Sequence, residues 1–303
     1  MSFFAFLITA SVAFGQITHQ GYFTTGGGEQ TSTSYSGSTV GEASGGGEQT
    51  SSNYEAAGGT SVQVLSQQGL GGFLLSAAQV VAKWLFFNNT RFDGDNPAAN
   101  ADDDNAIAIG KKALRPGFKA KFENFTSFHK GINGVMVDID GLPGTPTAAD
   151  FDFRLGNDST PGSWNPAAVP QAIAVREGAG KDGSDRVTII WADDAIKKAW
   201  LCIRVKATEV TGLANPHVFY FGNAVGKSRP INEADPEDAD ASVGAQDELR
   251  ARANPRGFFN QAAVDNYYDY NRDGFVNATD QLIARANVTS FFTKLELIEP
   301  ADE

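Results

Sequence analysis

The amino-acid sequence predicts a mainly β protein, in which a β-sandwich is followed by a small α-helical unit. Short apolar segments separated by Gly, Pro, Asn and Asp dominate residues 79–217, as in proteins built from many short strands. Two similar stretches, 33 residues apart, then carry the apolar spacing of short helices. Before both regions, residues 16–78 are rich in Gly, Ser and Thr and contain few charges.

The first 15 residues are uncharged and strongly apolar. Ala13 and Gly15 supply small residues before Gln16, at the positions expected for cleavage, so we predict a secretory signal peptide over 1–15. The n-region lacks Lys and Arg, and a buried N-terminal strand is therefore the alternative. Later apolar stretches are interrupted by polar residues, and we expect no membrane span after cleavage. The expected location is secreted or cell-surface.

The Gly/Ser-rich region, 16–78, contains an internal repeat. GGGEQTSTSY, from Gly26 to Tyr35, returns 19 residues later as GGGEQTSSNY, from Gly45 to Tyr54. Such composition is typical of a flexible linker, whereas a Tyr at the same place in each copy suits short strands with Gly turns. We predict a semi-ordered β-repeat or linker.

The predicted β-sandwich, 79–217, contains segments of two kinds. FKAKFENF alternates apolar and polar residues, as expected of a strand with one buried face, while GVMVDID and VTIIW are more continuously apolar, as expected inside a sandwich. The segment DDAIKKAW, 193–200, is expected to form one helical turn ahead of the strand that holds Cys202. The predicted strands are 80–87, 118–125, 134–140, 151–157, 172–177, 186–192 and 198–207.

Composition excludes several kinds of site. With 36 Asp and Glu against 24 Lys and Arg, the formal net charge is −12, and nucleic acid is not expected as a partner. One Cys excludes an intramolecular disulfide and a Cys-based zinc site. That residue, Cys202, lies in the apolar run WLCIRV and is predicted to be a buried strand residue.

The segment DYNRDGFVNATD, Asp269–Asp280, carries oxygen-bearing side chains at the spacing of a calcium-binding loop. Calcium takes six to eight oxygens at about 2.3–2.6 Å, and alternate residues of such a loop wrap round one point. Gly274 falls at the sixth position, where the chain turns sharply, and Phe275 at the seventh contributes its backbone carbonyl. The twelfth position is Asp, where an EF-hand has Glu. The predicted calcium ligands are Asp269, Asn271, Asp273, Phe275, Asn277 and Asp280.

A second copy of the loop and its following helix lies upstream, where DASVGAQDELRARAN aligns with DGFVNATDQLIARAN. The fifth and twelfth positions stay acidic, but the first becomes Pro236, which has no side-chain oxygen. Alternatively, the loop opens earlier, at Asn223, with an acidic insertion after it. We expect weak or irregular calcium binding here. The predicted ligands are Asp238, Asp240 and Asp247, with Asn223 in the alternative.

Two repeats of calcium loop and helix, with Asp at the twelfth position and no entering helix, resemble a type I dockerin. The resemblance covers about residues 218–294 and is carried mainly by the second repeat; 295–303 would be a tail. Dockerins bind cohesin modules and assemble secreted polysaccharide-degrading complexes, so the resemblance implies a cohesin-like protein partner. In that family the tenth and eleventh loop positions help to choose the partner. The predicted partner-binding residues are Ala278, Thr279 and Arg285.

The chain as a whole resembles dockerin-bearing secreted bacterial proteins, and its β-sandwich is similar in type to cohesin-like and carbohydrate-binding modules. No catalytic Ser–His–Asp order, nucleophile elbow or phosphate-binding loop is evident, so we expect no enzymatic activity. Three functions remain open: assembly or surface attachment, a purely structural use of calcium, and polysaccharide binding or breakdown. Trp164 is the one plausible exposed sugar platform, and the acidic stretch 93–104 is expected to be a solvated loop.

Overall fold

The computed structural model describes residues 77–229 and 240–301, together with the backbone of five strands within 4–56. The chain divides into two compact units, Met1–Ser76 and Ala77–Glu303. In the first, β1 pairs antiparallel with β2, and β3 lies between β4 and β5. The backbone of β1 falls within the predicted signal peptide, 1–15, whose side chains, like most of the Gly/Ser-rich region, lie outside the described residues. The five strands are β1 Phe4–Val12, β2 Gly15–Phe23, β3 Gly28–Thr31, β4 Ser36–Thr39 and β5 Glu55–Ala56.

The second unit is mainly β, with two sheets and two helices. One sheet has the order β10-β9-β13-β14-β7 and the other the order β11-β12-β8-β6. Neighbouring strands are antiparallel except for the pair β14 and β7. The strands are β6 Gln79–Phe86, β7 Phe125–Thr126, β8 Gly134–Asp140, β9 Phe151–Gly156, β10 Asn165–Pro166, β11 Ala172–Arg176, β12 Asp185–Ile190, β13 Trp200–Val205 and β14 His217–Asn223.

One hydrophobic cluster receives alternate side chains from both sheets, including Val135 and Val137 of β8 and Leu201 and Ile203 of β13. The opposite face of β13 is also buried, because Trp200 and Cys202 pack in a second cluster that contains residues of the C-terminal segment. Burial on both faces explains why WLCI, at the start of β13, is continuously apolar. Cys202 is a buried, unoxidised thiol, as the sequence predicted.

Six of the seven predicted strands correspond to strands of these sheets. The exception is 118–125, whose alternating pattern predicted a strand. Its residues form a 3₁₀ turn, Phe122–Asn124, before the two-residue strand β7. The buried face of this segment packs against the C-terminal segment, to which the Ala120 amide donates a hydrogen bond at the Ile298 carbonyl. The alternating pattern of 118–125 thus indicated correctly that one face is buried, but that face packs against an irregular C-terminal segment. The segment 193–200 forms turns instead of the expected helical turn.

Two nine-residue helices follow the sheets, α1 Ala245–Ala253 and α2 Ala278–Ala286. The sequence-based boundary at 217/218 falls at the start of β14, which is hydrogen-bonded inside the five-stranded sheet. The segment after α2 returns to the same sheet, where the Trp200 indole donates to the Glu296 carbonyl. In the described part of the chain, neither helix has the length and apolarity needed to cross a bilayer.

Candidate metal centre

The loop Asp269–Asp280 is closed by its last residue. One carboxylate oxygen of Asp280 accepts the Tyr270 amide at 2.7 Å, and the other accepts the Asn277 amide at 2.9 Å. Because Asp280 is the third residue of α2, its second bond also caps that helix. A single buried side chain therefore holds together the beginning of the loop, its end and the start of the helix.

Asp269 organises the turn within the loop. Its carboxylate accepts the Gly274 amide at 2.9 Å and the Asp273 amide at 3.3 Å. Gly274 has φ +82°, a left-handed conformation that glycine adopts without a Cβ clash, so it provides the sharp turn predicted for the sixth position. Asp273 in turn accepts the Phe275 amide at 2.8 Å. The first, fifth and twelfth residues of the loop are thus arranged by the loop's own amides.

The two Asn side chains predicted as ligands take part in the same local network. The Asn271 amide group donates to Asp273 at 2.7 Å, and the Asn277 side-chain oxygen accepts the Thr279 amide at 2.7 Å. Phe275 is half-buried, and its ring lies 6.0 Å from the Arg91 guanidinium. All six predicted ligands therefore belong to one loop that is closed by its own hydrogen bonds.

The electrostatics of the loop favour a bound cation. Asp269 and Asp280 are each 0% exposed. Burial raises the pKa of Asp269 to about 7; Arg272 opposes this rise, while the charges of Asp280 and Asp273 add to it. Burial likewise raises the pKa of Asp280, against the hydrogen bonds it accepts. Clustered carboxylates in a buried place are costly until positive charge is supplied.

The donor set fits calcium in its chemistry: three carboxylates, two amide oxygens and one backbone carbonyl, all hard oxygens. Within 77–229 and 240–301, however, no three His, Cys, Asp or Glu side chains are gathered as a metal-binding group. The loop carboxylates instead point their oxygens at backbone amides. A carboxylate has about four acceptor positions, so an oxygen that accepts an amide keeps capacity for an ion.

Arg272 fixes the loop to the β-sheets, a role the sequence analysis missed. It is 3% exposed and lies 4.3 Å from the centre of the Phe87 ring. Its guanidinium donates to the carbonyls of Asn266 and Asp269. Nearby, the His129 amide donates to the Tyr270 carbonyl at 2.9 Å. The one sequence-level indication is that Arg272 holds the fourth position of the loop, which is not a ligand position; in the structure its backbone is left-handed, with φ +59°.

The upstream loop repeats this hydrogen-bond pattern. Asp247 accepts the Ser228 amide and the Gly244 amide, both at 2.8 Å, as Asp280 accepts the amides of Tyr270 and Asn277. Asp240 accepts the Ser242 amide at 2.8 Å, as Asp273 accepts the Phe275 amide. Ser228 is therefore the structural counterpart of Tyr270, the second residue of its loop.

Of the predicted upstream ligands, the structure brings Asp240 and Asp247 into this loop. Asp238, like Pro236, lies outside the described residues. Asn223 lies at the end of β14, where its side chain accepts the Lys198 amide at 2.9 Å and donates to the Phe128 carbonyl at 3.0 Å. The side-chain amide of Asn223 therefore links the end of β14 to the segments at Lys198 and Phe128. The residue that precedes Ser228, and so holds the first loop position, is Lys227.

The two halves are joined reciprocally by backbone pairing. Val276, the eighth residue of the second loop, exchanges two 3.1 Å hydrogen bonds with Arg256, which follows α1. Val243, the eighth residue of the upstream loop, accepts the amide of Thr289, which follows α2, at 2.9 Å. Arg256 and Thr289 are themselves 33 residues apart. Each loop therefore pairs with the segment after the other helix, as expected of a repeat with approximate two-fold symmetry.

The predicted partner-binding residues Ala278, Thr279 and Arg285 are exposed. Arg285 pairs with Glu248 and thereby links α2 to α1. Three exposed large apolar side chains of the first repeat recur 33 residues later in the second. They are Leu249, Phe258 and Phe259 in the first repeat, and Leu282, Phe291 and Phe292 in the second.

The other candidate sites have structural roles. Trp164 is 5% exposed and packs against Tyr220, so it is not an exposed platform for a sugar. In the acidic stretch 93–104, expected to be solvated, Asp93 and Asp103 are each 0% exposed. Both accept backbone amides, so the stretch is a folded turn region instead of a solvated loop. Asp104 pairs with two arginines of β11 and β12.

Comparisons of the chain with protein-family models, with curated proteins and with solved structures found no match. Its function is therefore inferred from its own residues and their geometry.

Proposed function

We propose that this chain is a secreted, non-catalytic protein whose C-terminal unit binds calcium and mediates protein–protein assembly or surface attachment. In this proposal the unit is of dockerin type, and the two sheets form a β-sandwich of the cohesin-like or carbohydrate-binding-module type. The observation that carries it is the loop Asp269–Asp280, where hard oxygen donors stand at calcium-loop spacing around two fully buried carboxylates.

Calcium would add to the single positive charge of Arg272, which faces three loop carboxylates. The residues of the chain would shape the loop and attach it to the sheets. Asp280 closes the loop and caps α2, and Asp269 sets the turn at Gly274. Arg272 fixes the loop to the sheets through the Asp269 carbonyl and the Phe87 ring. Calcium binding would therefore stabilise α2 and its contact with the sheets together.

A protein partner is favoured by the exposed apolar side chains. Phe259 and Phe292 are 99% and 89% exposed, and each belongs to a Phe pair that follows one of the two helices. Such side chains are depleted from solvated surfaces unless they contact something else. A cohesin-like module is the partner that the dockerin resemblance implies. Among the described residues of the β part, Phe118 is the one exposed large aromatic residue, which gives less support to sugar binding.

A purely structural use of calcium is the second candidate. It is favoured by the attachment of the loop to the sheets, where Arg91 donates to the Asp273 carbonyl at 3.4 Å and the His129 amide donates to the Tyr270 carbonyl. The two candidates share the metal site and differ in the partner. Substitution of both Phe pairs by Ser would abolish partner binding in the first and leave calcium-dependent stability unchanged in both.

The test of the metal site is calcium titration with thermal melting of the full chain. Wild type should gain about 5–10 °C in Tm at a calcium concentration one hundred times the Kd, because binding to the folded state alone contributes about 2.7 kcal/mol. Asp273→Ala should lose most of this gain. Asp102→Ala, which removes an exposed carboxylate outside the loop, should keep it. A wild-type Tm that calcium leaves unchanged would refute the proposal.

A further inference from the structure

Lys227 occupies the first position of the upstream loop, where the second loop has Asp269. This assignment follows from the hydrogen bonds to Asp247, which make Ser228 the counterpart of Tyr270. The side chain of Lys227 is 3% exposed, although a lysine normally keeps its ammonium in water. Its ammonium donates to the carbonyl of Ser242 at 3.0 Å.

Ser242 is the seventh residue of its loop, and the backbone carbonyl of that position is a calcium ligand in loops of this kind. The ammonium thus contacts an oxygen that would face the ion. Asp240, the fifth residue of this loop, interacts electrostatically with the Lys227 ammonium. Burial opposes ionisation of Asp240, but hydrogen bonds from Ser242 and the positive charges of Lys227 and Lys294 lower its pKa overall.

We propose that the Lys227 ammonium takes the place of a metal ion in the upstream loop, so that this loop closes without calcium and the repeat binds one ion. The count of one ion rests on the function proposed above for the second loop. The role of Lys227 stands on the upstream loop alone.

The chemistry of the two loops supports this substitution. In the second loop, the first residue brings a negative charge, and Asp269, Asp273 and Asp280 share one buried cation, Arg272, whose guanidinium donates to backbone carbonyls, so further positive charge is needed. In the upstream loop, the first residue brings a positive charge instead, and that charge acts on Asp240, the fifth residue. A buried ammonium is stable only when it is hydrogen-bonded and compensated by negative charge; Lys227 donates to the Ser242 carbonyl at 3.0 Å and interacts with the charge of Asp240.

A permanently closed upstream loop has a consequence for the second half. Val243 of that loop accepts the Thr289 amide, so it holds the chain just after α2 before any calcium binds. The second loop is itself paired, at its eighth residue Val276, with Arg256, which follows α1. The upstream loop is thus a metal-independent support on which the second loop orders.

The experiment combines native mass spectrometry, which counts calcium ions, with hydrogen-exchange mass spectrometry of the full chain. We expect one calcium ion per wild-type chain. Peptides that cover 240–247 should be protected equally in EDTA and in calcium, whereas peptides that cover 269–280 should gain protection with calcium. Two bound ions, or a gain of protection in 240–247 on calcium addition, would overturn the proposal without requiring any variant.

Lys227→Met then tests the ammonium directly, because Met keeps most of the length of the side chain and removes the charge. Exchange in 240–247 should accelerate by about tenfold or more in EDTA. Lys112→Met, the same change at an exposed ion pair with Glu123, is the matched control and should leave it unchanged. Unchanged exchange in Lys227→Met would refute the role of Lys227. If wild type binds no calcium, the function proposed above fails, and the EDTA comparison still decides the role of Lys227.

Discussion

Asp247→Asn and Asp280→Asn make a matched pair, because the two residues are equivalent in the repeat and accept equivalent amides. Each Asp accepts one amide from the second loop residue and one from the ninth. Asn keeps one oxygen and places a donor at the other, so one buried amide loses its acceptor in each variant. An unsatisfied buried amide costs about 1–3 kcal/mol, and both variants should lose that much stability in EDTA.

Calcium should separate the two variants. The ion adds about 2.7 kcal/mol to wild type at one hundred times the Kd. Asp280 is a predicted ligand, so Asp280→Asn should lose this contribution as well, for a total of about 4–6 kcal/mol. Asp247 lies in the loop that Lys227 closes, and Asp247→Asn should cost the same about 1–3 kcal/mol with and without calcium.

Urea unfolding of the three proteins, each in EDTA and in calcium, measures these differences as shifts of the midpoint at constant m-value. The wild-type chain in the two buffers gives the calcium contribution directly. Equal losses for Asp280→Asn in both buffers would show that Asp280 does not hold an ion. A calcium-dependent loss in Asp247→Asn would show that the upstream loop does.

Two further predictions concern the sheets. Arg186→Ala should lower the free energy of unfolding, measured by urea titration, by about 3–5 kcal/mol. The reason is that the Asp138 carboxylate, which is 0% exposed and accepts two 2.8 Å hydrogen bonds from Arg186, loses its cation. Arg176→Ala, at a half-exposed ion pair, should lower the free energy of unfolding by less in the same titration. His217 has its pKa lowered to about 4 by burial and by Lys83, so the folded state binds fewer protons than the unfolded state between about pH 4 and 6.5. Stability should therefore fall as the pH is lowered through that window, and thermal melting of His217→Gln should show a shallower fall; equal slopes would exclude this residue as the cause.

The spacing of ligands identified the loop Asp269–Asp280 because a calcium loop is a local structure, fixed by residues within one turn of chain. For the upstream loop, the spacing left two possible beginnings, Pro236 without a gap and Asn223 with an acidic insertion. The hydrogen bonds of Asp247 indicate a third, Lys227. An insertion inside a loop breaks the spacing on which the sequence argument depends. Only a contact between residues far apart in the chain can restore the register.

The segment 118–125 shows the same limit for the sheets. Its alternation correctly indicated one buried face, since Ala120 and Phe122 are buried. Periodicity does not specify what covers that face, and here it is the C-terminal segment around Ile298. The apolar run 134–140 was placed with its observed bounds, because a strand buried on both faces leaves no alternative periodicity to weigh.

The difference between the two loops determines the form of the calcium response. Two equivalent metal sites joined by reciprocal backbone pairing would bind cooperatively, since ordering one loop would order the pairing partner of the other. Because Lys227 is a fixed internal cation, the upstream loop is ordered without metal. Calcium then changes only the occupancy of the loop Asp269–Asp280. Isothermal titration of the full chain should therefore give a hyperbolic isotherm with a Hill coefficient of about 1. A sigmoidal isotherm would require a second coupled site and would contradict the assignment of Lys227.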